Sequence, residues 1–156
     1  MARLTSPIIE VEDSWEAAND WFLKEKLGDG LPIVPPTPER VARMLAATNR
    51  DPQEVIGPIP PKWAPCSIEK IAINAVMAGC LPEYLPVVIA AVEAICEPRF
   101  NLYGVQATTG YVGPALLLNG PIRKKLDVNC DSGVFGPGFR SNATIGRAIR
   151  LILITV

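Results

Sequence analysis

Apolar residues recur at helical spacing in four stretches of the chain. Trp15, Ala18, Phe22 and Leu23 fall on one face of a first predicted helix, with Asp13 placed to cap it and Gly28-Asp29-Gly30 placed to stop it. Thr37-Pro38-Glu39 opens a second helix, with Thr37 as cap, Pro38 at the first helical position and Val41, Met44 and Leu45 as its buried face. Asp51-Pro52-Gln53-Glu54 repeats this start signal in shorter form. Ser67 caps the third, whose Ile68, Ile71, Ala72, Ala75 and Val76 follow the i, i+3, i+4 rule. Its opposite face carries Ile73 and Met77 and is interrupted only by Asn74. Gly79 ends it, Pro82 begins another, and Tyr84 to Ile95 is apolar nearly all round. Two such helices need cover on every side, from a sheet and other helices or from a partner.

The intervening segments read differently. Ile8 to Val11 is β-prone, and Leu31–Pro36 and Gly57–Pro65 are proline-rich connectors, since proline fixes φ and lacks a donor. Leu102 to Thr108 and Ala115 to Leu118 read as short strands divided by a Gly113-Pro114 turn. Pro121 to Leu126 suggests one helical turn, and the glycine-rich run Cys130 to Arg140 leads into a last helix with Ile145, Ala148, Ile149 and Ile152 on one face. The final Leu151 to Val156 (LILITV) is strongly apolar and uncapped, which predicts cover from a second protein chain or from a further copy. The expected fold is therefore α+β. It is helix-rich in its first two thirds, with a small mixed sheet at about 102–119 and a glycine loop feeding a C-terminal helix. One domain spans 1–156, with 1–36 as helix and connector and 37–156 as core.

Composition narrows the chemistry. The 156 residues include 15 Lys and Arg, 16 Asp and Glu, and no His. A formal charge of −1 gives no field for nucleic acid or an anionic membrane, so neither is an expected partner. Without histidine this chain alone holds no Ser-His-Asp triad, no Cys-His pair and no His-ligated metal. Cys66, Cys80, Cys96 and Cys130 form no C-x-x-C and read mainly as buried small residues, so no metal site is expected and the cofactor is left open. No leader or membrane span is evident, which makes the cytoplasm the expected location.

Two regions stand out as sites. The first comprises Gly133, Gly136, Gly138, Arg140, Ser141, Asn142 and Arg147, where glycines permit close backbone approach and a helix start favours an anion. A turned loop with Ser141 or Asn142 capping the helix explains the same pattern. The second comprises Asn74, Cys80 and Glu83: a thiol just before a helix start, whose pKa the helix dipole would lower, a carboxylate for proton transfer, and an amide to orient substrate or to bond a neighbouring backbone. Thr108, Thr109 and Asn119 are weaker substrate-binding candidates at predicted strand ends. Lys62, Arg123, Lys124 and Lys125 read as solvated charge.

Residues 69–94 (EKIAINAVMAGCLPEYLPVVIAAVEA) and 119–151, with Ser141 to Ala148 (SNATIGRA), resemble a bacterial family of largely unassigned function. That family is associated with small selenoproteins and thiol proteins carrying a U/C-G-S-C motif. The resemblance covers about 30–156, its specific element is M-A-G-C-x-P-E-Y, and the U/C-G-S-C motif itself is absent. It implies thiol or redox enzymology with a partner protein, in a longer chain of which this would be one half. The function expected is an enzyme or enzyme subunit, of thiol/redox or lyase type, acting on a small anionic or thiol-bearing metabolite. The alternative is a non-catalytic subunit that docks and completes a catalytic partner.

Overall fold

Side-chain caps and one left-handed glycine set the helical frame in a computed structural model, which describes residues 4–156. The start of the chain on which the leader reading partly falls, residues 1–3, lies outside the described residues. Helix α1 (Trp15–Lys24) is capped by Ser14, whose hydroxyl accepts from the Ala17 amide, so the cap sits one residue after the expected Asp13. Helix α2 (Pro38–Leu45) starts as predicted, with Thr37 accepting from the Arg40 amide. Helix α3 (Ile68–Ala78) is capped by Ser67 and ends at Gly79, whose φ of 86° lets the Cys80 amide close back on the Ala75 carbonyl at 2.9 Å. A 3₁₀ turn at Pro82–Tyr84 then leads into α4 (Leu85–Cys96).

The α+β class holds, but the sheet is elsewhere than expected. Strands β1 (Val55–Ile59) and β2 (Ala64–Ser67) form an antiparallel hairpin through the segment read as a proline-rich connector. It turns over a cis Pro60-Pro61 bond, and Pro58 pairs opposite Pro65. A two-stranded ribbon is all edge, so a proline there can sit where no partner needs its missing N–H. Asp51 to Glu54 likewise forms a turn into β1, not a helix. Residues 102–119 contain no strand. Leu102–Ala107 is instead a short helix, α5, because Asn101 in the left-handed region accepts from the Gly104 amide and so caps it. Residues 115–118 have no regular structure, and neither does the β-prone Ile8 to Val11. Helix α6 (Pro121–Lys125) and helix α7 (Arg140–Thr155) complete the order.

Helix α3 is the centre of the core, packed against α7, α2 and α4, while the hairpin lies against α4. The cover demanded by the two apolar helices thus comes from a sheet and other helices. The apolar terminal run is the last turns of α7: Leu151, Ile152 and Leu153 are buried within the chain itself. The most exposed large apolar side chains are instead Tyr111, Leu117 and Phe135, which are almost wholly uncovered. In the first turn of α3, the buried carboxylate of Glu69 accepts from the Thr5 and Ser6 amides and from Gln53, which ties the start of the described chain to the core. Burial alone would raise its pKa, but these donors outweigh it and hold the carboxyl below its usual range.

Candidate thiol site

The loop after α6 is held in shape by amide side chains. Asn142, in the first turn of α7, accepts from the Asn129 amide at 2.9 Å and donates to the carbonyls of Asn129 (3.0 Å) and Val134 (3.2 Å). Ser141 donates to the Asp127 carbonyl at 2.8 Å, so neither residue caps the helix, whose N-cap is Phe139. Asn129 in turn accepts from the Asp131 amide and donates to the Ser132 carbonyl. Cys130 sits between these anchors with its side chain exposed. From α6, the Arg123 guanidinium donates to the Cys130 sulfur at 3.0 Å and to the Val128 carbonyl at 3.4 Å. A cationic donor on a thiol sulfur is placed to hold negative charge that develops there during reaction.

Cys130 opens onto a cavity of about 370 Å³ between the extended segment 114–118, this loop and α7. Leu116, Leu118, Phe135, Ile145 and Ile149 give it apolar walls, and Arg123, Asn129, Ser141 and Asn142 supply its polar groups. That balance suits a small molecule with an apolar body and few polar anchors. No second cysteine lines it.

The second expected region has a different character. Cys80 is buried and donates its S–H to the Thr144 carbonyl at 3.3 Å. Burial pushes its thiol up to about 11, against the smaller opposing effects of that hydrogen bond and of Arg140, so the expected lowering by a helix dipole is overturned. Only a short 3₁₀ turn follows it. Glu83 is exposed and lies outside the cavity that Cys80 lines. Asn74 braces helices: it donates to the Lys70 carbonyl at 3.0 Å and accepts from the Thr155 hydroxyl at 2.9 Å, joining α3 to α7.

The remaining predicted residues divide as follows. Arg147 forms a two-pronged pair with Asp29 (2.8 and 3.0 Å) and donates to the Leu31 and Pro32 carbonyls, so it fastens the first connector to α7. That pairing holds the Asp29 carboxyl below its usual range. Gly133 and Gly138 adopt φ of 80° and 111° and shape the loop; Gly136 closes a turn on the Gly133 carbonyl. Thr108 borders a separate groove beside Arg150, Thr109 is exposed, and Asn119 accepts from the Gly120 amide as a turn residue. Arg140 does meet Cys80's neighbourhood, donating twice to the Gly79 carbonyl at 3.1 and 3.0 Å. Helix α7 therefore separates two sites: its Arg140–Thr144 stripe faces Cys80, and its Ser141–Ile145–Ile149 stripe faces Cys130.

Cys130, read from the sequence as one more buried cysteine, and Arg123, read as solvated charge, are thus brought together at this cavity. The available signal was the run of three basic residues at 123–125 shortly before a cysteine in a glycine-rich loop. Among the described residues no three His, Cys, Asp or Glu side chains gather as a metal site, and no helix is long and apolar enough to cross a membrane. No family model matches the chain, and neither does any curated protein or solved structure.

Proposed function

We propose that the chain is an enzyme, or a subunit of one, of thiol/redox type, with Cys130 as the reacting thiol. The observation that carries this reading is the exposed Cys130 sulfur with the Arg123 guanidinium 3.0 Å away, at the edge of a largely apolar cavity. The substrate is a small thiol-bearing metabolite in its disulfide form. The Cys130 thiol gives its proton to solvent, and the sulfur attacks one sulfur of the disulfide. A mixed disulfide with Cys130 forms, and the other half departs as a thiolate. With no second cysteine in the cavity, a second small thiol resolves the mixed disulfide and restores Cys130. The role assigned from the sequence to Cys80 passes to Cys130, since Cys80 is buried and donates its proton to a carbonyl. This chemistry agrees with the resemblance to thiol and selenoproteins, and a cytoplasmic location fits four cysteines that form no disulfide.

The test is acceleration of the exchange between 2-hydroxyethyl disulfide and reduced glutathione. The wild type and Cys80→Ser accelerate it, and Cys130→Ser does not. Equal acceleration by Cys130→Ser removes the reading.

A second reading, docking to another chain, draws on Tyr111, Leu117 and Phe135. These large apolar side chains stand almost fully exposed, and two of them also line the Cys130 cavity. In this reading the partner, a second chain or another copy, covers segment 111–118 and completes the cavity wall. Sedimentation of the purified protein tests it: a self-associated or partner-bound species supports it, and a well-behaved monomer that is catalytically competent contradicts it.

A further inference from the structure

The groove between α2, the end of α3 and the start of α7 has a charge that the Cys130 cavity lacks. It encloses about 340 Å³, and Arg40, Arg43 and Arg140 line it above Val34, Met44 and Val76. No Asp or Glu lines it, and among the described residues none of the three arginines belongs to an ion pair. The nearest acids in sequence, Glu39 and Glu83, are both exposed and outside the lining. In a chain with a formal charge of −1, three arginines and no acid lining one groove concentrate positive charge there, which attracts an anion.

Two of the three are held in place by backbone. Arg40 donates from Nη1 to the Pro35 carbonyl at 2.8 Å, and Arg140 donates from Nε and Nη2 to the Gly79 carbonyl. A guanidinium has five N–H donors, so each keeps several for a ligand. Arg43 stands one turn along α2 from Arg40, on the same face, and makes no hydrogen bond among the described residues. The Cys80 thiol in the floor donates to Thr144 and adds no competing negative charge.

We infer that this groove binds a small oxyanion carrying two negative charges, of the phosphoryl or dicarboxylate class, at a site separate from Cys130. Planar guanidinium groups suit both classes, because each offers paired oxygens to a fork of N–H donors.

Calorimetric titration with inorganic phosphate and, separately, with succinate at low ionic strength tests this. At least one probe binds, and the tighter of the two assigns the class. Arg43→Gln weakens that binding about tenfold or more. Arg99→Gln, an exposed charge outside the groove, leaves it within about twofold. Cys130→Ser binds as the wild type does, so this site and the thiol reading fail separately. No binding of either probe at about 10 mM, or equal weakening by Arg43→Gln and Arg99→Gln, overturns the inference.

Discussion

Replacing Arg147 by Gln distinguishes a fastening residue from a ligand-binding one. The side chain makes two hydrogen bonds to Asp29, at 2.8 and 3.0 Å, and two to the carbonyls of Leu31 and Pro32. Both partners are largely covered, with side-chain exposures of 21 % for Arg147 and 14 % for Asp29. A solvent-exposed pair would be worth roughly 0–1 kcal/mol. Breaking a fully buried one costs about 3–5 kcal/mol, because a charge is left without its partner. This pair lies between, so Arg147→Gln should destabilise the fold by about 2–3 kcal/mol. Urea unfolding reads the loss as a lower midpoint at unchanged slope. A cycle with Asp29→Asn should give a coupling energy of about 1–2 kcal/mol. The pairing lowers the Asp29 pKa, so its contribution is present above the ordinary value of 3.8 and is lost as pH falls through the lower, folded value. The wild-type advantage over Arg147→Gln should therefore shrink in acid. A change below about 0.5 kcal/mol, together with lost affinity for a small anion, would refute this and restore Arg147 as a ligand contact.

Ile152→Ala should cost about 2–5 kcal/mol in the same urea assay, since the side chain is fully buried in the chain's own core. Asn74→Ala should lower stability by about 1–3 kcal/mol through the lost α3–α7 brace, yet leave the alkylation rate of Cys130 unchanged. Glu69 has a lowered pKa, so its hold on the Thr5 and Ser6 amides persists above the ordinary value of 4.5 and fails as pH falls through the folded value. NMR shifts of those two amides should report that acid transition in the wild type and lose it in Glu69→Gln.

Helices with local start and stop signals were legible in the sequence. Thr37-Pro38, Ser67 and Gly79 act on neighbouring backbone groups, so α2 and α3 could be placed from a few residues each. The hairpin was not legible, because Pro58, Pro60, Pro61 and Pro65 hide the alternation that marks a strand and are tolerated only in a ribbon with two free edges. Leu102 to Ala107 has strand-like composition, and one capping side chain, Asn101, turned it into a helix. The apolar terminus looked uncovered because the sequence cannot show that α7 lies along α3. The thiol site was hidden for a similar reason. Arg123 meets Cys130 only because the chain reverses after α6, with the Val128 amide donating to the Arg123 carbonyl, and no periodicity reports such a turn.

The proposed thiol chemistry depends on Arg123 acting on Cys130, and alkylation by iodoacetamide at neutral pH measures this directly. The reagent is uncharged, so removing the cation alters the thiol without repelling or attracting the probe. Mass mapping of the native protein should find Cys130 modified first, with Cys66 and Cys80 protected by burial. Arg123→Gln should slow Cys130 by about threefold or more while its exposure is unchanged. An unaltered rate in Arg123→Gln, or modification of Cys80 ahead of Cys130, would contradict the account.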